Sequence, residues 1–362
     1  MKNVLLLTLS IAIALGICEV FLRYQPFITL NYDLVPETLD PDTRISYLTH
    51  HKPRVHPDVQ RADWGSDCSK EESTLRVLFL GDSWMESMDG IPKGIADELF
   101  RRNEHLRCLR AVNGAVASYA PSLYLLKGEM LLAREDFDLI VVNIDETDLM
   151  DESLRYRKTT LRDPDGRISR VVPNVADLAF WYKRATLQHQ PMYLLRLIEA
   201  LYYDRVLLPR LRKEFFGRST PVGAYAQIMS PQLSADPART HAAQIEYFRS
   251  VLREMLARLS DHVGPSRVLL THHPHYLHLK IAPGEKRYNR ILASILREEA
   301  ELSSVQYYNG LAEVDDLPAE DVSVLFMWPE DPFSHLTTEG YRRYGEHIAA
   351  EIDDASGALN RP

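Results

Sequence analysis

Two short segments carry the residue types from which acyl transfer is built without a metal. Ser83 stands behind Gly81 and Asp82. Far downstream, His335 closes the loop Glu330-Asp331-Pro332-Phe333-Ser334-His335, with Leu336, Thr337 and Gly340 beyond it. A serine hydroxyl is a weak nucleophile until a neighbouring base takes its proton, and imidazole is the usual base. A carboxylate a few residues before the histidine can hold the ring in one tautomer and stabilise the cation that forms. Asp331 is the candidate for that carboxylate and Glu330 the fallback. The ordinary reading of His335 alone is a cap for a closing helix. The pairing with Ser83 requires a fold that returns the loop over the first strand.

The surrounding elements can supply such a fold. The run Leu75–Leu80 is short, apolar and rich in β-formers, and it ends at Gly81-Asp82-Ser83. Further strands are expected at Leu109–Val112, Leu139–Ile144, Arg267–Thr271 and Val305–Tyr308. Helical patterns are expected over Gly94–Arg102, Pro121–Glu135, 239–260, 284–300 and Thr338–Ile352. Strand–loop–helix alternation with near-continuous apolar strands predicts a parallel α/β sheet covered on both faces. Ligands of such sheets gather beyond the carboxyl ends of the strands. Ser83, Gly114 and the acidic run Asp145-Glu146-Thr147-Asp148 all fall there. A serine at the start of a helix would also have backbone N–H groups around it able to stabilise an oxyanion.

The remainder of the 362 residues divides by composition. Val4–Leu22 is 19 residues interrupted by one charge, Glu19. At about 1.5 Å per residue such a helix spans most of a bilayer core. Residues 1–23 are read as an uncleaved anchor, against a cleaved signal peptide with Ala14-Leu15-Gly16 as its site, or a lipoprotein joined through Cys18. Each reading exports the rest of the chain, and Lys2 favours a periplasmic or exterior domain on a single-pass inner-membrane anchor. Residues 24–70 carry Pro26, Pro36, Pro41, Pro53 and Pro57 and are expected to form an extended neck. The catalytic domain is expected over 71–354, interrupted at about 155–235 by an insertion. The insertion opens with a hairpin turning at Asp163-Pro164-Asp165-Gly166 and continues with a helical stretch over Leu187–Phe216. Its role is open between a solvated cap with an apolar underside and a lid or membrane-facing surface. A net charge of −9 argues against nucleic acid as a partner. Three cysteines are too few for a disulfide scaffold. In an oxidising compartment Cys68 and Cys108 can pair or remain two separate thiols; pairing would close a loop worth about 3–4 kcal/mol.

On these blocks the chain resembles the SGNH, or GDSL-type, hydrolases. Gly81-Asp82-Ser83 matches the family's nucleophile block, and Asp331 with His335 its late Asp-x-x-His block, one residue longer than usual. The resemblance implies a three-layer, flavodoxin-like α/β/α fold and a Ser83–His335–Asp331 triad. It also implies an oxyanion hole built from the Ser83 N–H, a second-block N–H at Gly114 or Ala115, and a third-block side chain. That third position is normally an asparagine in Gly-x-Asn-Asp. Here Thr147 stands in its place, and Asn143, four residues earlier, is the alternate. No cofactor or metal is implied. The expected function is an exported serine esterase or acyltransferase on O-acetyl or similar esters of carbohydrate or cell-envelope polymers. The alternative is a catalytically silent relative that binds glycan or a partner protein. His272, His273, His275 and His278 imitate a metal cluster but lack a carboxylate-rich partner, so one of them lining the substrate cleft is the best functional alternative. Trp84 reads as cleft wall or core, and the acidic run 145–152 as a solvated loop with a capped helix start.

Overall fold

The computed structural model describes residues 2–24, 59–116, 119–171, 192–202, 205–206, 237–273, 287–310, 325 and 335–355. In chain order the principal elements are α1 (Lys2–Tyr24), β1 (Gln60–Gly65), β2 (Thr74–Leu80), α2 (Ile91–Arg102), β3 (Cys108–Asn113), α3 (Pro121–Leu132), β4 (Leu139–Ile144) and α4 (Glu146–Met150). They continue with β5 (Thr160–Arg162), β6 (Ile168–Val171), α5 (Tyr193–Tyr202), α6 (Pro237–Val263), β7 (Val268–His272), α7 (Arg287–Ser303), β8 (Gln306–Asn309) and α8 (Thr338–Ala355). Contacts separate the chain into one unit of residues 57–172 with 225–362 and another of residues 1–56 with 173–224.

The first unit is built on a six-stranded sheet in the order β1-β3-β2-β4-β7-β8. From β3 to β8 every pairing is parallel. Taken alone, the five parallel strands run second, first, third, fourth, fifth, the flavodoxin-like doubly wound order. The switch in winding direction falls between β2 and β4, and Ser83 and Asp145 follow those two strands. Every residue of β4 and β7 is buried, as continuous apolar runs require when helices cover both faces. On one face Val77, Phe79, Leu139 and Val141 pack with Ile95 and Leu99 of α2 and Ile348 and Ile352 of α8. Helices α3, α6 and α7 pack together as the other cover.

Helices α2 and α8 approach until their backbones touch. A Cβ on Gly345 would lie 2.8 Å from the Gly94 Cα and 2.8 Å from the Ile91 carbonyl oxygen. Only glycine permits that crossing. It couples the helix that follows the serine loop to the helix that follows His335.

The expected strands and helices form within a few residues of their expected bounds, and the hairpin β5–β6 turns where Gly166 adopts φ +80°. One expectation changes. Residues 60–65 are sheet rather than neck: β1 pairs antiparallel with β3 from Gln60–Asn113 to Gly65–Cys108. Its Gln-Arg-Ala-Asp-Trp-Gly sequence hides the strand because an edge strand needs only alternate burial, which the structure shows. Just beyond it, Cys68 and Cys108 form a disulfide that ties the end of β1's loop to the first residue of β3.

In the second unit, the Glu19 carboxylate of α1 accepts the backbone N–H groups of Tyr193 and Leu194, both at 2.8 Å, and so caps α5. Leu195, Ile198 and Tyr202 are exposed whereas Arg196 is buried, with its guanidinium over the Tyr193 ring. Of the 187–216 stretch, only residues 192–202 and 205–206 are among the described residues. Among the described residues no helix is long and apolar enough to cross a membrane.

Candidate active site

The serine sits in a tight turn, not at a helix start. The Asp82 side chain accepts the Trp84 N–H at 3.0 Å and its carbonyl accepts the Met85 N–H at 3.2 Å, an aspartate-centred turn that projects Ser83 outward. From the end of β3, Asn113 donates through Nδ2 to the carbonyls of Met85 (2.7 Å) and Glu86 (3.1 Å), pinning the loop from the other side. Helix α2 begins only at Ile91. The expected help from a helix N-terminus is therefore absent at Ser83, because the Ser-Trp-Met turn must first carry the chain across the sheet edge.

His335 reaches this serine from 252 positions away: its Nε2 lies 3.2 Å from the Ser83 Oγ. The approach is set by α8, which starts three residues later, and by the Thr337 N–H donated to the Leu325 carbonyl at 2.7 Å. The other ring nitrogen, Nδ1, lies 2.9 Å from the Tyr341 hydroxyl, one helical turn into α8. Asp331 and Glu330, the expected carboxylates, lie outside the described residues.

The Trp84 indole is a wall shared by two histidines. It stacks on His273 at 3.9 Å between ring centres and lies near-parallel to His335 at 5.6 Å. His273 is wholly buried at the end of β7. An amide nitrogen can only donate, so the 2.7 Å contact from Asn143 Nδ2 makes His273 Nδ1 the acceptor and leaves the ring proton on Nε2. That nitrogen faces the Asp145 carboxylate at 3.2 Å. His272 is also buried, while His275 and His278 lie outside the described residues. Neither described histidine lines an open cleft. Among the described residues no cluster of histidine, cysteine and carboxylate suited to a metal ion occurs.

The oxyanion side differs from what the family blocks imply. The Gly114 N–H donates to the Phe79 carbonyl at 2.8 Å, and the Ala115 N–H to Asn113 Oδ1 at 2.9 Å. Both second-block donors are thus used in bending the chain off β3. Gly114 has another reason to be glycine: a Cβ there would lie 2.9 Å from Leu131 Cδ1 and 3.1 Å from Leu80 Cδ2. Thr147 is turned to Asp145, donating both its N–H (2.7 Å) and its hydroxyl (2.5 Å) to the same oxygen. It belongs to the capping box of α4, whose return bond runs from the Asp145 N–H to the Asp148 carboxylate at 2.8 Å. Asn143 is fully buried, and its Oδ1 accepts from Thr271 (2.9 Å) and Tyr344 (3.1 Å). Gly114, Thr147 and the alternate Asn143 therefore build the walls of the site rather than aim donors into it. Among the described residues the Ser83 N–H, by contrast, has no acceptor.

The acidic run is capped, as expected, but it is not solvated. Asp82, Asp145 and Asp148 are all buried. Burial, reinforced by the Asp145 charge, holds the Asp82 carboxyl well above the usual carboxylate range. The same two causes raise Asp148, which accepts the Tyr124 hydroxyl at 2.5 Å. Glu152, buried a turn further on, accepts the Ser122 N–H at the start of α3 at 2.8 Å, and burial pushes it up to about 7. Sequence reasoning missed Tyr341 and the His273–Trp84 stack. The one available signal was a tyrosine six residues after the histidine, placed to turn back over it from the first turn of α8.

No family model and no curated protein matches the chain. Solved structures similar to it include the acetylxylan esterase Axe2 from Geobacillus stearothermophilus, at 12% identity and a TM-score of 0.42, over 77% of this chain and 94% of that one. Another is a protein from Desulfitobacterium hafniense described as lipolytic and of the G-D-S-L family, at 10% identity and a TM-score of 0.39, over 76% and 98%. A third is LAE5, an alpha/beta hydrolase enzyme from the metagenome of Lake Arreo in Spain, at 13% identity and a TM-score of 0.42, over 79% and 97%.

Proposed function

We propose that the chain is a serine ester hydrolase of the SGNH type, acting on O-acyl esters, most simply O-acetyl groups, of carbohydrate or cell-envelope polymers. The observation that carries this reading is the 3.2 Å approach of His335 Nε2 to Ser83 Oγ at the switch point of a doubly wound sheet. Ser83 Oγ adds to the acyl carbon while its proton passes to His335 Nε2 and the carbonyl π pair moves to oxygen. The tetrahedral adduct then expels the sugar oxygen, which takes the proton from Nε2. Water, activated by the same nitrogen, returns the acyl group as a carboxylic acid; a second sugar hydroxyl in its place gives acyl transfer. The Ser83 N–H is the oxyanion donor, and Asp331, with Glu330 as the alternate, supplies the carboxylate that balances the imidazolium. No organic cofactor or metal enters this sequence of steps.

A second reading has a specific observation behind it. With Gly114, Ala115 and Thr147 all engaged elsewhere, the Ser83 N–H is the one of the expected backbone donors that has no acceptor among the described residues, an arrangement that also suits a silent glycan- or partner-binding relative. Loss of one donor costs about 10²–10³ in rate. Hydrolysis of a nitrophenyl acetate and of acetylated envelope glycans by the full chain, beside Ser83→Ala, separates the two. Turnover that disappears with Ser83 supports the enzyme, and equal background rates support the binder.

The proposal extends to placement. Helix α1 is the anchor of an exported protein, with the sheet unit in the periplasm or exterior, or released there after signal cleavage. The 19-residue apolar stretch Val4–Leu22 and the Cys68–Cys108 disulfide, a bond of oxidising compartments, both support it. Fractionation of the native protein, with alkali and detergent extraction of the membrane pellet, tests this. Recovery in the cytosolic fraction with Cys68 and Cys108 reduced would overturn it.

A further inference from the structure

Resting on the placement of α1 as an anchor, we infer that helix α5 lies in the outer interface of the bilayer, with its exposed apolar side set among the lipids next to the end of α1. Met192, Leu195, Ile198 and Tyr202 are all exposed on α5. Steps of three, three and four residues put them on one side of a helix. The opposite side is covered: Arg196 is buried, and Tyr193, Leu194 and Leu197 are half-buried. An apolar stripe of that kind marks an interaction surface.

The two ends of α5 fix its depth. The Glu19 carboxylate of α1 accepts the Tyr193 and Leu194 N–H groups at 2.8 Å each, so α5 begins at the level of residue 19. Glu19 stands three residues before Leu22, where the apolar stretch Val4–Leu22 ends. At about 1.5 Å per residue that is about 5 Å inside the outer end of the stretch. Amphipathic helices that lie along a bilayer sit about 5–10 Å into the boundary between headgroups and acyl chains. A carboxylate at such a depth is costly unless it is hydrogen-bonded, and the N–H groups and dipole at a helix start meet that need. Past the other end, Arg205 is exposed, and a guanidinium stays at headgroup level rather than in hydrocarbon. Between two ends held at the interface, the helix runs along it.

Its neighbours agree with lipid as the occupant. Helix α5 packs on α1, where Ile13, Ile17, Val20 and Phe21 are exposed as well. The apolar sides of the two helices adjoin, and a bilayer covers both at once. Tyr193 and Tyr202 bring amphipathic rings of the kind that settle at headgroup level. Residues 204–218 carry five basic side chains, Arg205, Arg210, Arg212, Lys213 and Arg218, against Asp204 and Glu214. That excess of positive charge complements anionic headgroups. Of the roles open to the insertion, α5 thus takes the membrane-facing one.

The test reads depth in the full chain, reconstituted in vesicles of phosphatidylethanolamine with a minority of phosphatidylglycerol. Cys68 and Cys108 are bonded to each other and Cys18 is free. In a Cys18→Ser background a single nitroxide is therefore placed through Leu195→Cys, Ile198→Cys or Ile13→Cys, and power saturation compares oxygen, which concentrates in lipid, with a water-soluble nickel chelate. With α5 in the interface, labels at positions 195 and 198 collide more with oxygen than with the chelate and report a shallower depth than the label at 13. Greater exposure to the chelate than to oxygen at 195 and 198, with position 13 deep in lipid, would overturn the inference and leave the anchor standing. So would labels at 195 and 198 shielded from both agents, which means protein cover, or spin–spin broadening at 198, which means a second copy of the chain. A label at 13 open to the chelate refutes the anchor reading itself, and the placement of α5 with it. Both α5 substitutions replace exposed side chains, and either position alone suffices if the other variant fails to fold.

Discussion

The two sides of the site are made in opposite ways. On the proton-relay side, groups 252 positions apart meet: Ser83 and His335 are half-buried and face each other at 3.2 Å. On the oxyanion side, groups near each other in sequence satisfy one another. The Gly114 N–H bonds to Phe79, the Ala115 N–H to Asn113 and the Thr147 hydroxyl to Asp145. A backbone donor that completes a turn lowers the cost of burying that turn and is then unavailable to a substrate. The comparison shows that a serine–histidine pair can be assembled by topology while the donors expected beside it are claimed by the loops that carry them.

The largest effect that could break this contrast is Ser83→Ala. Ester hydrolysis should fall by at least about 10³-fold, measured at saturating nitrophenyl acetate, with the melting temperature nearly unchanged. A smaller loss would remove the relay side of the comparison altogether.

Next is the buried anchor of the oxyanion-side helix. Glu152 is held at about 7 in the folded chain against an ordinary value of 4.5. Its folded value is raised, so its contribution to stability is complete below about pH 4.5 and is lost as pH rises through about 7. The loss amounts to about 3 kcal/mol. Glu152→Gln keeps an acceptor for the Ser122 N–H and should flatten that part of the pH dependence, read by urea unfolding at pH 5 and pH 8. Parallel behaviour of the two proteins would show that this carboxyl does not titrate there.

A packing effect comes third. Gly114→Ala drives a methyl toward Leu131 and Leu80 and should cost about 1–2 kcal/mol in thermal or urea unfolding. Activity per folded molecule should stay within about threefold, since the N–H is retained and already bonded. The smallest effect expected is that of Thr147→Val on kcat, under about threefold, because its hydroxyl serves the cap of α4. A fall of about 10²-fold, the size of a lost oxyanion donor, would return Thr147 to the site and erase the contrast.

Some of this site was legible beforehand because its signals are local. A β-rich apolar run ending in Gly-Asp-Ser, and a histidine before an amphipathic closing helix, are written in residue types and spacing. So is the hairpin turn at Asp163–Gly166. The edge strand Gln60–Gly65 was not legible, since half its side chains face solvent and its partner Cys108–Asn113 lies some 50 positions on. Asn113 illustrates the same limit within the site. Its place after a strand was clear, but its role in clamping the serine loop depends on where Met85 and Glu86 arrive in space.

The sequence by itself determined the five parallel strands, their covering helices and the loop positions of Ser83 and His335. Apolar periodicity and short-range turn chemistry are properties of neighbouring residues, and they hold wherever the chain ends up. Only the tertiary structure decided which donors remain for a ligand, because a hydrogen bond has one partner and the competitors for it are distant in sequence. Tyr341 became a partner of His335 Nδ1 through the rotation of α8, which the backbone contact of Gly94 with Gly345 registers against the serine side of the fold. Gly114 and Thr147 lost their expected roles to carbonyl and carboxylate oxygens that folding brings closer than any substrate.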